Sequence, residues 1–312
     1  MSRIIADIGG TNTRIALVEP GANEFIEPQC YVNREHPSLE HIIEDWLHRQ
    51  TAPARHCVLA VAAPPSGDRV TMTNIDWSFS CKALASRFGF DKLLRLNDFE
   101  AGAYALPHLK TDDLANIKFG SRDRGTRLAI VGPGTGLGGA VLLTEDDNVI
   151  SLPCEPGHVG LSPNNALELE LLRWLLETEG STHAELLVSG PGLSRIYRAL
   201  ADIRDQPSID LKPADITRLA QSGEDTLAKE ALSIFCAMLG SICGDFLLAT
   251  GSYDGLFISG GIAPQIWPFL KNSEFNKRLT AKGAMADTLN QTPVNVITRP
   301  HPGLVGAAMA PL

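Results

Sequence analysis

The sequence predicts an α/β protein built from two domains, and three observations carry that expectation. The first hundred residues alternate β-type apolar runs with helix-type periodic segments. A glycine-rich strand–turn–strand pattern occurs twice, as Arg3-Ile-Ile-Ala-Asp-Ile-Gly-Gly-Thr-Asn-Thr-Arg-Ile-Ala-Leu-Val18 and as Arg127-Leu-Ala-Ile-Val-Gly-Pro-Gly-Thr-Gly-Leu-Gly-Gly-Ala-Val-Leu-Leu143. With 312 residues, the chain is long enough for two substantial hydrophobic cores.

Strands are expected at Arg3–Asp7, Arg14–Glu19, Phe25–Val32, Cys57–Ala62 and Leu93–Leu96. Between them, Ser38–Arg49 places Leu39, Ile42, Ile43, Trp46 and Leu47 on one helical face, with Pro37-Ser38 as its start signal. Ser80–Phe88 reads as a second helix closed by Gly89. From about Pro107 the character changes. The second hairpin and a strand at Val149–Leu152 precede a helix over Ala166–Glu177, another after Pro191 and a long one over Thr226–Thr250. Gly240 and Gly244 on adjacent turns of that long helix predict close contact with a sheet. Gly255-Leu-Phe-Ile-Ser-Gly-Gly261 reads as a buried strand entering a turn, and Val294–Thr298 as a further strand. The small-residue segment Gly306–Ala310 reads as a short helix that returns to the first domain, since chain termini often lie close together. The expected division is 1–107 plus 299–312 for a smaller domain and 108–298 for a larger one.

Composition excludes several classes. A net charge of −9 and the lack of any Lys/Arg cluster argue against a nucleic-acid partner. No uninterrupted apolar run reaches membrane-spanning length, so no membrane partner is expected. The six cysteines are scattered without a C-x-x-C pair, which points to reduced, mostly buried thiols, a cytoplasmic setting and no zinc.

A glycine-rich turn exposes backbone N–H groups that can wrap phosphate oxygens without interference from side chains. One such hairpin alone would most simply be a hairpin, but two of the same grammar suggest a phosphate chain held by both halves. Gly134-Thr-Gly-Leu-Gly-Gly139 literally fits the G-x-G-x-x-G dinucleotide fingerprint, yet Ala140-Val-Leu-Leu143 continues as a strand where that motif requires a helix. Neither turn carries the Gly-Lys-Ser/Thr ending of a Walker A loop.

Asn97-Asp98-Phe99-Glu100 lies where a β-type run passes into a helix-type run, at the edge where α/β folds place ligands. A carboxylate there can take a proton from a hydroxyl attacking phosphorus. Asp98 could equally cap the following helix, and position alone leaves the two readings level. Glu155 and His158 sit three apart in a Pro/Gly turn and together suit adjacent hydroxyls of a polyol. Glu185, taken alone, reads as a solvated helix residue. Gly260-Gly261 would let backbone approach a flat base, or would simply end a strand tightly. Asp7 ends the first strand beside the first turn, where one carboxylate could orient Mg²⁺ through water.

Taken in order, Asp7-Ile-Gly-Gly-Thr-Asn-Thr-Arg14, Met72-Thr-Asn74 with Trp77, Asn97-Asp98-Phe99, Gly132-x-Gly-Thr-Gly-Leu-Gly138, Glu155-x-Gly-His158, Ser189-Gly-Pro-Gly-Leu193 and Ser259-Gly-Gly-Ile262 resemble the bacterial glucokinase family over nearly the whole chain. The resemblance implies the two-domain actin-like ATPase (ribonuclease H-like) fold with a hinged cleft, and ATP-dependent phosphorylation of glucose. It implies that Asp98 is the base on the sugar 6-hydroxyl and that Asn97, Glu155, His158 and Glu185 bind the other hydroxyls. It assigns Gly9, Gly10, Thr11 and Asn12, with Gly132, Gly134, Thr135 and Gly136, to the ATP phosphates, and Gly260 and Gly261 to the adenosine. Asp7 falls near Mg²⁺, and a homodimer is implied. With no lysine or arginine in the turns themselves, backbone N–H groups and Mg²⁺ are expected to neutralise the phosphates.

Two departures stand out. Pro156 replaces the family's glycine, which predicts a stiffer or re-angled loop, and Gly160-Leu161-Ser162 replaces a frequent Asp-Phe-Ala. Both bear on the choice of hexose. The alternatives are a kinase of mannose or an N-acyl hexosamine, or a sugar-responsive protein without catalysis. A nicotinamide-dependent dehydrogenase is disfavoured by the strand after Gly139.

Overall fold

The computed structural model describes residues 2–22, 25–26, 28–50, 54–63, 67–72, 75–121, 125–146, 148–207 and 209–312. Thr73 and Asn74 of the Met72-Thr-Asn74 segment, and Asp147 of the turn after the second hairpin, lie outside the described residues. The chain divides into two compact units. One is Met1–Leu109 with Leu142–Pro153 and Arg299–Leu312, and the other is Lys110–Val141 with Cys154–Thr298.

The first unit is built on β1 (Arg3–Ile8), β2 (Asn12–Val18), β3 (Gln29–Val32), α1 (Leu39–His48), β4 (His56–Val61), β5 (Arg69–Thr71), β6 (Ser78–Ser80), α2 (Cys81–Phe88), β7 (Lys92–Asn97) and α3 (Asp98–Ala105). Its main sheet runs β3-β2-β1-β4-β7, with β5 and β6 forming a separate pair. β1 pairs antiparallel with β2 but parallel with β4, and β4 is parallel to β7. The mixed sheet follows from a tight hairpin on one side of β1 and helical crossovers on the other. The third strand is shorter than the expected Phe25–Val32. Phe25 makes only an isolated bridge to Val18, and Pro28, which has no N–H to donate to a ladder, precedes the regular part. In α1 the predicted stripe is buried at Leu39, Ile42, Ile43 and Trp46, and Ser38 Oγ accepts the His41 N–H at the N-cap. α2 ends at Gly89, whose φ of +69° is the left-handed cap the sequence signalled.

After α3 the chain continues through β8 (Leu114–Lys118), β9 (Arg127–Pro133), β10 (Leu137–Glu145), β11 (Asn148–Cys154), α4 (Ala166–Glu179), α5 (Gly190–Ile203), α6 (Pro213–Ser222), α7 (Thr226–Thr250), β12 (Leu256–Ile258), α8 (Ala263–Lys271), α9 (Phe275–Thr280), α10 (Ala286–Gln291) and β13 (Val294–Ile297), most of them in the second unit. The sheet order is β11-β10-β9-β12-β13-β8, and the distal part of the β10–β11 hairpin counts with the first unit.

α7 is apolar on nearly every face. Its mean hydropathy of 1.9 over an 18-residue window makes it long and apolar enough to cross a membrane by length and composition alone, yet 78% of that window is buried inside the protein. It is apolar all round because it is enclosed. Gly240 and Gly244 also differ from expectation. A Cβ on either would meet carbonyl oxygens of α9, Phe275 O and Leu279 O, so these glycines serve a helix–helix crossing and not a helix–sheet contact. Arg278 on α9 forms a buried two-pronged ion pair with Glu168 on α4 and donates from Nε to Ser241 on α7, tying the three helices together. The cysteines form no disulfide. Cys57, Cys236 and Cys243 are buried, Cys81 and Cys154 half-buried, and Cys30 exposed.

The chain closes with α11 (Pro302–Met309), which belongs to the first unit. Arg3 Nη1 donates to the carbonyls of Ala308 and Ala310, each at 2.9 Å, so the first strand caps the last helix. α11 lies directly against α3. A Cβ on Gly306 would overlap the Ala101 carbonyl, so only glycine permits this approach. Gly306→Ala is expected to cost about 1–3 kcal/mol by overpacking, read as a lowered midpoint in thermal unfolding. An unchanged melting curve would show that α3 and α11 separate freely.

Candidate active site

In the first unit, strand register gathers the predicted residues. Ile8 pairs with Val61 and Val61 with Asn97, so the ends of β1, β4 and β7 form one row. With strands about 4.8 Å apart, the first glycine turn and Asn97 leave the same sheet edge roughly 10 Å from each other.

That turn is held by a residue the motif reading missed. Asn33 is fully buried and donates from Nδ2 to the Gly9 carbonyl at 2.8 Å. It accepts the Thr13 hydroxyl at 2.8 Å, and its own N–H reaches the Thr11 carbonyl at 2.9 Å. The Gly9 N–H closes the turn onto Asn12 O at 3.0 Å. Nothing local marks Asn33 in Val32-Asn33-Arg34, because its partners lie about twenty residues upstream.

Asp7 faces Arg14 across the β1–β2 ladder, with Nη1 and Oδ2 3.9 Å apart. Burial pushes the Asp7 carboxyl above its ordinary range, and the Arg14 charge draws it partly back. The sequence reading left the first turn without a cation. Antiparallel pairing supplies one, because two residues seven apart become cross-strand neighbours. The first turn of α11 also approaches this carboxylate, since a Cβ on Gly303 would lie 3.8 Å from it. His301, at φ +55°, begins that helix, and burial followed by the Arg14 charge lowers its pKa.

The two readings of Asp98 separate here. Asn97, not Asp98, is the N-cap of α3: its Oδ1 accepts the Glu100 N–H at 2.6 Å, while Glu100 Oε2 accepts the Asn97 N–H at 2.8 Å. Asp98 is the first helical residue, with an exposed side chain whose Oδ1 lies 3.1 Å from the Phe99 N. Burial raises the Glu100 pKa, opposed by the Asn97 N–H and by Arg95.

In the second unit the other candidates converge. Gly132 lies within β9, and the second turn spans Gly134, Thr135 and Gly136, with the Gly134 N–H bonded to Gly136 O at 2.8 Å. The Gly134 carbonyl accepts the Gly190 N–H at 2.8 Å, which docks the turn on the first residue of α5. Ser189 caps that helix by accepting the Gly192 N–H, and its hydroxyl donates to the Glu185 carbonyl at 2.7 Å. Gly260, at φ +88°, backs onto Pro133, where a Cβ would strike the carbonyl. Beside it a cavity of about 550 Å³ is lined by Thr135, Gly190, Pro213, Gly261, Ile262 and Gln265. Its size and mostly apolar walls suit a flat aromatic ligand.

Glu155 and His158 are exposed; Glu155 precedes and His158 ends a single 3-10 turn, Pro156–His158. Pro156 occupies its first position, where a missing N–H costs nothing, so the departure from glycine ends no hydrogen bond. The loop is paired with the segment before Glu185 through Ala184 N to Val159 O and Leu161 N to Thr182 O. The His158 and His183 rings are tilted by 45° to each other, with centroids 5.4 Å apart. Leu161 and Ser162 line a second cavity of about 260 Å³ with Met238, Ile242 and Phe246 of α7. Glu185 is not a solvated helix residue. It is half-buried in a short 3-10 segment and accepts the Leu137 N–H on Oε2 at 2.9 Å.

A family model described as Glucokinase matches residues 4–311. The glucokinase of Saccharophagus degradans is 41% identical over 310 residues, covering 98% of this chain and 96% of that protein. The crystal structure of a glucokinase from an Antarctic psychrotroph superposes with a TM-score of 0.90 at 35% identity, covering 99% of this chain and 98% of that one. A ROK-family glucokinase from Streptomyces griseus, solved with glucose and AMPPNP, shares the fold at a TM-score of 0.66 and 18% identity, with 99% and 98% coverage.

Asn33→Ala strips partners from the Gly9 carbonyl and the Thr13 hydroxyl. A loss of about 1–3 kcal/mol in urea unfolding is expected for each group left unsatisfied. A variant as stable as wild type would show that Asn33 does not hold the turn.

Proposed function

The chain belongs to the glucokinase family and phosphorylates glucose with ATP, and we propose that Asp98 is the general base that makes the sugar 6-hydroxyl attack the γ-phosphate. The observation that carries this reading is the N-cap. Asn97 is the N-cap of α3, which makes Asp98 the first helical residue, with an exposed side chain where β7 passes into the helix. In-line transfer then needs a proton acceptor at that hydroxyl and fixed phosphates, since positioning and charge neutralisation supply most of phosphoryl-transfer catalysis.

Asn97, Glu155, His158 and Glu185 take the remaining hydroxyls. With Oδ1 of Asn97 engaged by the Glu100 N–H, its amide offers Nδ2 as a donor, while Glu155 and Glu185 offer acceptors. A sugar epimer that leaves one of these unpaired in the closed complex loses affinity steeply. Gly9, Gly10, Thr11 and Asn12 take the first share of the ATP phosphates, and Gly134, Thr135 and Gly136 the second. The cavity beside Gly260 and Gly261 takes the adenosine.

Mg²⁺ suits the chemistry of this donor set. Among the described residues no cluster of three or more His, Cys, Asp or Glu could form a protein cage, whereas one carboxylate with phosphate oxygens and waters is the usual magnesium arrangement. Asp7 would hold it, and bound there it neutralises phosphate charge. Arg14 partly offsets the burial that raises the Asp7 pKa and adds positive charge at the same strand end. A homodimer in the cytoplasm completes the reading.

The test is ADP release with Mg-ATP across a panel of hexoses. Glucose should stimulate release most, and Asp98→Ala should lower kcat by about 10²–10⁴-fold while glucose still binds. Near-normal turnover in Asp98→Ala would remove the base assignment, and stronger stimulation by mannose or an N-acyl hexosamine would change the substrate.

A further inference from the structure

The contact between Glu185 and the second phosphate turn has no counterpart in a carboxylate that only binds sugar. Oε2 of Glu185 accepts the Leu137 N–H at 2.9 Å, and Leu137 directly follows Gly136. The carboxylate also occupies the place a Gly136 Cβ would take, so the glycine here makes room for a side chain as well as for phosphate. Gly157 joins the same packing: a Cβ there would meet the Leu137 carbonyl and come within 3.2 Å of Glu185 Oε2. From behind, the Glu185 carbonyl accepts the Ser189 hydroxyl, and the adjacent Gly190 N–H holds the Gly134 carbonyl. One short segment, 185–190, therefore grips both ends of the turn.

We propose that Glu185 is the residue through which sugar and nucleotide reinforce each other's binding. Resting on the reading of Glu185 as a sugar ligand, the argument is one of shared restraint. The Leu137 N–H engages Oε2 and leaves Oε1 for a sugar hydroxyl. A hydroxyl on Oε1 fixes the carboxylate, which fixes the Gly136–Leu137 backbone that receives the phosphates. Whichever ligand arrives first bears the ordering cost, and the second binds tighter for it. By linkage the effect is the same in both directions.

The measurement is the ratio of glucose dissociation constants without and with AMPPNP, by calorimetry, in wild type and three variants. In wild type AMPPNP should tighten glucose binding by about fivefold or more. In Glu185→Gln an amide oxygen still accepts the Leu137 N–H but presents a donor to the sugar, so glucose affinity falls while the ratio stays near wild type. Glu185→Ala removes the link, and Gly136→Ala displaces an intact carboxylate; in both the ratio should shrink by about threefold or more. Circular dichroism melting confirms that each variant is folded. Should Glu185→Ala bind glucose too weakly to titrate, Gly136→Ala carries the comparison. A wild-type ratio in Gly136→Ala, or in a titratable Glu185→Ala, would overturn the coupling while leaving the site intact. Unchanged glucose affinity in both Glu185 variants would instead remove Glu185 from the sugar site, and the proposal with it.

Discussion

Both glycine turns follow a strand that ends inside a domain, where every main-chain donor and acceptor needs a partner. At the second turn the partners are the Gly190 N–H on the Gly134 carbonyl and the Glu185 carboxylate on the Leu137 N–H. At the first turn the buried Asn33 does the same for Gly9, Thr11 and Thr13. Bare glycine turns are floppy, and the phosphate role proposed for these turns calls for a backbone that is stiff before a ligand arrives. The satisfied backbone makes it so. This requirement then determines what may pack nearby: a helix N-terminus at Gly190, a carboxylate at Gly136 and a proline ring over Gly139.

In the first unit the corresponding constraint is strand register. The parallel row Ile8, Val61 and Asn97 fixes where β7 stops, and the reciprocal cap between Asn97 and Glu100 fixes where α3 starts. Asp98 is thereby placed with no freedom left to the backbone. The close approach of α11 at Gly306, itself tied to β1 by Arg3, supports α3 from behind. A glycine in the last helix and an arginine in the first strand thus bear on a carboxylate about two hundred and one hundred residues away from them in sequence.

What was legible in the sequence was what local chemistry encodes. The α1 stripe, the Gly89 cap and the two hairpins depend on residues within a few positions of each other, and they appear as the pattern implies. The family resemblance reached further, because ordered motifs carry a fold that periodicity alone cannot. Apart from the third strand, shortened beside Pro28, the failures were questions of partners distant in sequence. Gly240 and Gly244 announced a close approach without naming α9 as the neighbour. The composition of α7 could not say that its apolar surface is enclosed by protein. Arg14 looked like an ordinary strand residue until antiparallel pairing set it opposite Asp7. Asn33 and the second role of Glu185 left no local trace, since each is defined by bonds across twenty to fifty residues.

The polar residues assigned to the sugar share a feature that explains how so few of them can be selective. Asn97 commits Oδ1 to the Glu100 N–H, and Glu185 commits Oε2 to the Leu137 N–H. Each keeps one end for structure and presents the other. A free Asn amide can flip and offer either a donor or an acceptor, so it discriminates poorly between hydroxyl orientations. Anchoring one end removes that choice before the sugar binds. It also spares the cost of immobilising the side chain on binding, about 0.5–1.5 kcal/mol apiece. Freeing the Asn97 amide from its anchor should therefore blur the distinction between sugars more than it weakens binding to any one of them. That follows because the anchor sets which hydrogen-bonding group faces the ligand, whereas the number of such groups is unchanged.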